Sequence, residues 1–418
     1  MRGILRLSLV AASGLLAVVG GAASLSVLAA ADLSAADRLG PGPIAATATW
    51  PADGPAVAHN VWPIRSAATQ PVLRPTSPGA QKMQSGQAPV LPSRLSETGL
   101  YEAGRTGVVD ARNRSFAPQY PLWTDGAAKS RWIALPAGAV IDASDPTAWR
   151  FPVGTKFWKE FRFSDRKVET RLLWRASSDE WLAASYVWAD DQSDATLAPA
   201  EGLPQAAEAA PGRWHAIPSR TDCLACHGSR PTTALGFNVL QLSPDRDPHA
   251  LHAEPLQPGM ITLASLAAGR RVAPIDPSWT TAPPRIVSVS PRTRAMLGYL
   301  AANCGSCHNA SGEIAVVLGP SLAFKDVMAD GDAVAARLVD HPTKWQVPGL
   351  GTGQSALISR AHPERSAMLV RMQSRRPSSQ MPPLGTVVKD EEALAALRAW
   401  VALDLLPSHA RITRSNER

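Results

Sequence analysis

All four cysteines of this 418-residue chain fall in two copies of one pattern, Cys223-Leu-Ala-Cys226-His227 and Cys304-Gly-Ser-Cys307-His308. Two thiols at that spacing can each add to a vinyl group of one haem, and the next residue can turn its imidazole onto the iron. CxxCH is therefore the attachment pattern of a c-type haem. The chain is expected to carry two covalently attached haems, one on Cys223 and Cys226 with His227 as proximal ligand, the other on Cys304 and Cys307 with His308.

Three other uses of paired cysteines explain the pattern less well. Zinc ribbons separate their pairs by about 15–20 residues and do not need a histidine after each pair. Here residues 227–303 intervene, and both histidines are present. Two structural disulfides, or a thiol redox centre in a thioredoxin-like βαβ setting, leave the histidines unexplained.

The N-terminus points to export. Arg2 and Arg6 precede a run over 7–31 that is free of charge and rich in Leu, Val, Ala and Gly. This is the pattern of a secretory signal, with Ala29-Ala30-Ala31 as a small-residue cleavage site, and it is also long enough for an uncleaved membrane anchor. Either way the remainder is expected in the periplasm, where bacteria attach c-type haems, with the membrane involved only through that anchor. Residues 32–94 are rich in Ala, Pro, Ser and Gly and show no helical or strand periodicity, so they read as a linker. The net charge of +7 does not signal nucleic acid, because no basic stripe interleaved with aromatics is present. Part of the excess sits in the signal and in a basic tail over 409–418, at Arg411, Arg414 and Arg418. One local basic run, Arg360, Arg365, Arg371, Arg375 and Arg376, could steer an acidic redox partner, although a solvated helix face and loop is the simpler reading.

The fold class predicted is α+β and multidomain: a β-rich, sandwich-like region over 95–214, a first haem-binding segment over 215–285, and a mostly helical domain over 286–408. In the first region Trp123, Trp132, Trp149, Trp158, Trp174, Trp181 and Trp188 punctuate short aromatic and β-branched runs at 155–163, 167–175 and 181–188. The turn-rich breaks between them predict an antiparallel meander. In the second run Val168, Thr170, Leu172 and Trp174 share one face, and Glu169, Arg171 and Leu173 the other. The tryptophans are assigned to the core rather than to a binding platform. Asp190, Asp191 and Asp194 are assigned to a solvated turn rather than to a calcium site.

The last region has the clearest punctuation. Ser290-Pro291 is an N-cap followed by proline in the first turn, opening a helix that delivers Cys304. Asp390 caps a second helix from Glu391 to Leu405, with acids in its first turn. Between the two lies Gln380-Met381-Pro382-Pro383-Leu384-Gly385.

On these residues the region resembles the class I cytochrome c domain, which has a helix leading into CxxCH, a methionine in a proline-rich loop and a C-terminal helix crossing the first. The resemblance implies that Cys304 and Cys307 bind haem, that His308 is proximal and Met381 distal, and that Gly298-Tyr299 and Trp400 mark the helix crossing. The stretch 329–353 departs from that pattern as an insertion. Pro218 lies too close to Cys223 for a long helix to deliver the first haem, so this half departs as well. His252 and Met260 are the leading distal candidates there, ahead of His249 and His215, and an open iron position is the alternative. Together with Tyr120-Pro121-Leu122-Trp123 and Phe151-Pro152-Val153-Gly154-Thr155, the chain is similar to bacterial two-haem cytochromes of unassigned function.

Three functions follow as expectations. The first is an electron carrier between periplasmic redox partners, such as a dehydrogenase and a terminal acceptor. The second is a two-haem, peroxidase-like oxidoreductase with an open iron at the first haem, and the third a haem-bearing docking subunit of a dehydrogenase. The chain has no GxGxxG, P-loop, HExxH or GxSxG pattern to suggest another catalytic centre.

Overall fold

The aromatic runs form the middle of a six-stranded antiparallel sheet. The computed structural model describes residues 89–228, 233–310 and 319–406. The expected signal or anchor, nearly all of the linker and the basic tail fall outside those residues. The strands are β1 (Tyr101–Glu102), β2 (Arg105–Val109), β3 (Arg114–Ser115), β4 (Ala128–Ala134), β5 (Ile141–Asp142), β6 (Lys156–Phe163), β7 (Arg166–Arg175), β8 (Trp181–Trp188), β9 (Ala195–Leu197), β10 (Leu203–Ala210), β11 (Arg213–Ile217) and β12 (Val272–Ala273). The main sheet has the order β3-β4-β6-β7-β8-β9. Its central hairpin closes at Ser164-Asp165, with Phe163 opposite Arg166 and Ser164 in the left-handed region at φ 50°. The acidic loop between β8 and β9 is a turn. Asp190 pairs with Arg166 and Asp191 accepts from Ser193, while Asp194 accepts the Ser96 hydroxyl at 2.6 Å.

The alternation expected for 167–175 is realised, and both faces of the sheet are covered. On one face Trp158, Leu172 and Trp174 pack with Leu95, Leu100, Tyr101 and Trp188, and Trp158 Nε1 donates to Thr98 Oγ1. On the other, Ile133, Phe157 and Leu173 meet Trp149, Phe151 and Phe237 in a cluster of edge-to-face rings. A sandwich-like partner sheet is not what covers these faces among the described residues. The remaining strands make only two-stranded pairs, β1-β2, β10-β11 and the parallel β5-β12. The cover comes instead from the β1-β2 hairpin and the turn before it on one face, and from the β5-β12 pair, α2 (Leu263–Ala268) and loop segments around Trp149 and Phe237 on the other.

The helices are α1 (Arg220–His227), α2 (Leu263–Ala268), α3 (Pro291–Asn303), α4 (Phe324–Ala329), α5 (Gly331–Leu338), α6 (Ala367–Gln373) and α7 (Glu391–Trp400), the last continuing into one π turn, Val401–Leu405. The caps work as the residues suggest. Ser290 Oγ accepts the Thr293 amide and Asp390 Oδ1 the Ala393 amide. Part of the stretch 329–353, which departs from the class I pattern, is thus helix α5. α3 and α7 pack on each other, with Trp400 fully buried and its Nε1 donating to Thr293 Oγ1 at 2.9 Å. Gly298 serves another contact. A Cβ there would lie 2.1–2.5 Å from the Tyr120 ring, so the bare face of α3 receives the front half of the chain.

Tyr120 is held firmly in that seat. Its amide donates to Gln241 Oε1, its carbonyl accepts from Gln241 Nε2, and its hydroxyl bonds Asp247. The aliphatic core of the helical region accordingly includes Tyr120, Leu240 and Leu251 beside Leu297, Leu300, Leu394 and Trp400. All described residues belong to one compact unit, Gln84–Arg418. A β-rich region therefore precedes a mostly helical one, and the two share a core. No described helix is long and apolar enough to cross a membrane.

Candidate functional site

The first motif sits on a single short helix. Ser219 caps α1 through a reciprocal pair of bonds with Asp222, and Pro218 directly before it sets where the helix can begin. No residue of α1 is fully buried, and Leu224 is exposed, so the helix lies on a wall rather than in a core. Cys223, Cys226 and His227 line a cavity of about 1430 Å³. His227 Nδ1 is 2.7 Å from the Thr233 carbonyl. A carbonyl can only accept, so the proton is on Nδ1 and the lone pair of Nε2 is left for another partner, which is how a metal-ligating histidine is oriented. Burial pulls the imidazole below its usual range, against the pull of the Thr233 bond, and Lys159 and Arg171 lower it further.

The second motif follows α3. The chain leaves the helix at Cys304, and the amides of Cys307 and His308 both donate back to the Cys304 carbonyl, so the motif is one tight turn. Gly305 is required there, because a Cβ would come within 2.5 Å of the Ala301 carbonyl and 2.6 Å of that of Leu322. Cys304, Cys307 and His308 line the same cavity, and so do Met372, Met381, Arg371 and Arg375. Met381 is positioned by its amide, which donates to the Arg371 carbonyl. All four cysteines are free thiols. Burial raises the Cys223 thiol and pushes that of Cys304 up to about 12, the opposite of what a thiol redox centre needs. Among the described residues no three or more His, Cys, Asp or Glu side chains group to hold a metal ion, so the two pairs do not converge into a four-cysteine zinc site.

The third wall is the sheet. β4, β6 and β7 turn Arg131, Lys159 and Arg171 to the cavity, and the loop before β4 adds Asp125. Behind them lies a buried polar chain. His215 Nδ1 is 3.0 Å from Asp125 Oδ2, and its Nε2 is 3.0 Å from Glu169 Oε1. Arg171 grips Glu169 with two bonds at 2.6 and 3.0 Å. Burial by itself would raise the Glu169 carboxyl, but Arg171 and His215 overcome it and bring the value down to about 2. Burial by itself would likewise lower His215, and the two carboxylates raise it instead. Asp125 Oδ1 accepts the amides of Val387 and Val388 at 2.7 and 3.1 Å, so this chain reaches the segment that carries Met381.

The structure therefore brings Cys223, Cys226, His227, Cys304, Cys307, His308 and Met381 to one cavity. His252 and Met260, the leading candidates for the first distal position, do not line it. His252 Nε2 is 2.9 Å from Asp390 and its Nδ1 faces Glu392, at the start of α7. Met260 Sδ accepts the Gln257 amide within its own turn. His249 is also off the cavity wall, and His215 stands behind it. The basic run divides in the same way. Arg371 and Arg375 line the cavity, Arg360 pairs with Asp340, and Arg365 bonds the carbonyls of Pro348 and Gly349. Of the tryptophans expected in the core, Trp149, Trp158 and Trp188 are buried there, Trp158 also touching the cavity, while Trp123 lines the cavity with its amide on Asn303.

Lys159, Glu169 and Arg171 escaped the sequence reading because charged residues alternating with apolar ones look like a solvated strand face. The available signal was their number on adjacent strands. Comparison of the chain with protein-family models, curated proteins and solved structures finds no match.

The cavity suits a haem on two grounds. Its volume exceeds the roughly 300–1,000 Å³ of an ordinary small-molecule pocket. Its wall also carries buried polar atoms without a protein partner, Thr124 Oγ1, Arg131 Nη2 and Thr386 Oγ1. Such orphans are costly unless something else bonds them.

Proposed function

We propose that this protein is a dihaem c-type cytochrome that carries electrons between redox partner proteins outside the cytoplasm. The observation that carries the reading is that both CxxCH motifs and Met381 line one continuous cavity. Cys223 and Cys226 would hold one haem by thioether bonds, with His227 as an iron ligand; Cys304, Cys307 and His308 would do the same for the other, with Met381 as a further residue to hold the iron. Each bound haem supplies a one-electron couple. The chain's part is to fix those couples. Thr233 holds the His227 ring in one tautomer, the Arg371 carbonyl holds the Met381 backbone, and the aromatic and aliphatic lining excludes water. A methionine ligand at the second site would set a higher potential there than a second histidine would.

A second reading, an oxidoreductase with an open position at the first haem, is favoured by one observation. The sheet wall beside α1 offers Arg131, Lys159 and Arg171 rather than a histidine or methionine. The test that separates the readings is the reduced absorption spectrum of protein made with haem-attachment machinery, before and after carbon monoxide. A carrier keeps two low-spin haems that ignore the gas; an enzyme of the second kind has one haem that binds it. Protein whose intact mass lacks two haems would overturn both.

A further inference from the structure

The cavity face of the sheet carries like charges side by side. In the antiparallel register Arg131 stands directly opposite Lys159, and Lys159 directly opposite Arg171. Like charges facing each other across strands are destabilising; here Arg131 is buried and Lys159 and Arg171 are half-buried against the cavity. Neighbouring carboxylates do not relieve the row completely. Glu254 takes Arg131 Nη1 at 2.6 Å, and Glu169 takes both bonds of Arg171 and one from His215. Lys159, in the middle, has no side-chain hydrogen bond or ion pair among the described residues; its Nζ lies 4.9 Å from the Phe161 ring, and the Glu254 carboxylate acts on it only from beyond ion-pair distance. The same ring lies 4.3 Å from the Arg171 guanidinium. Arg131 is 6% exposed and its Nη2 is buried without a partner.

We propose that the row Arg131, Lys159 and Arg171 is an anion-binding subsite beside the first CxxCH segment, taking the oxygens of a carboxylate or small oxyanion. The proposal rests on the haem reading of the cavity and adds a ligand to it. Arg131 Nη2 and Lys159 Nζ supply uncommitted donors of the kind that bind anionic oxygens strongly. Arg171, already neutralised by Glu169, fixes the far end. Burial and the flanking cations push the Lys159 amine well below its ordinary range, and an anion in the row reverses that cost. The oxygens can come from two sources, the propionate edge of the bound haem or a free anion admitted beside the iron.

The experiment uses the full chain with haems attached, as wild type and as Arg131→Gln, Lys159→Gln and Lys389→Gln. Lys389 is exposed and off the cavity wall, so its variant controls for loss of one charge. Lys159 makes no side-chain hydrogen bond or ion pair among the described residues, so its variant breaks none, whereas the Arg131 variant breaks the Arg131–Glu254 pair. Intact mass is read first; absence of two haems defeats the reading beneath the proposal whatever the anions do. Sulfate, nitrite and acetate are then titrated against the absorption of the first haem, and its potential is measured.

A free anion gives saturable titration in wild type, about tenfold weaker in the Arg131 and Lys159 variants and unchanged in the control. Propionate occupancy gives no titration but a lower potential for the first haem in those two variants alone. The proposal is overturned if both variants match the Lys389 control in titration and potential. It is also overturned if Lys159→Gln turns a low-spin first haem high-spin, which would put the amine on the iron.

Discussion

Glu169 has no exposed surface, yet the fold keeps it charged. Two bonds from Arg171 and one from His215 outweigh the desolvation that would otherwise neutralise it. Because its value in the fold is depressed to about 2, the stabilisation is complete above the ordinary glutamate range and is lost as pH falls through that range toward 2. His215 works in the other direction: its raised value means that its contribution is complete at low pH and is lost as pH rises through the folded value. Glu169→Gln leaves Arg171 buried without its counter-ion and is expected to lower unfolding stability by about 3–5 kcal/mol near neutral pH. Denaturant unfolding followed by tryptophan fluorescence checks this, and the gap to wild type should close as pH approaches 2. A gap that stays constant with pH would mean that packing, not charge, sets the loss. The alternation of β7 was legible in the sequence, but the destination of its polar face was not. Period two says which residues share a face and nothing about whether that face meets water or an enclosed wall.

Helices α3 and α7 were the most legible elements because their ends carry chemistry that acts locally. A serine or aspartate side chain satisfies amides one turn away, whatever lies elsewhere in the chain. The strands of the meander were legible for a related reason, since β6, β7 and β8 are separated by short polar turns. What covers them was not legible. The segments around Phe116, Trp149 and Phe237 have no periodicity and reach their places only through contacts distant in sequence. Gly298 illustrates the same limit, because a glycine beside a tyrosine on a helix suggests a helix crossing, whereas the ring that needs the space is Tyr120. Gly298→Ala should therefore cost about 1–3 kcal/mol by overpacking, although alanine is the better helix former. Combined with Tyr120→Leu, the cost should shrink, giving a coupling that denaturant unfolding of the single and double variants can measure. A helix crossing at Gly298 would give additive losses instead.

The sheet and the helical region are joined by Asp125 as well as by Tyr120, and Asp125 does so with charge. One carboxylate oxygen holds His215, while the other holds the amides of Val387 and Val388 six and seven residues beyond Met381. The buried chain from Arg171 through Glu169, His215 and Asp125 therefore ends on the segment that presents the methionine. If that link positions Met381, two substitutions should behave differently. Asp125→Ala removes every acceptor, so it is expected to cost about 3–5 kcal/mol and to speed hydrogen exchange at the Val387 and Val388 amides more than elsewhere. Asp125→Asn keeps a neutral oxygen for those amides but loses the ion pair, so most of the local protection should remain while the raised value of His215 falls back. On the proposed dihaem reading, with Met381 on the iron, the haem-loaded alanine variant should weaken the methionine-to-iron charge-transfer band, and the asparagine variant should retain it. Exchange that rises uniformly across the chain in both variants would instead make Asp125 a general stabiliser. A local rise with an unchanged band would leave the segment tethered by Asp125 but Met381 held from elsewhere, with the Arg371 carbonyl as its remaining anchor.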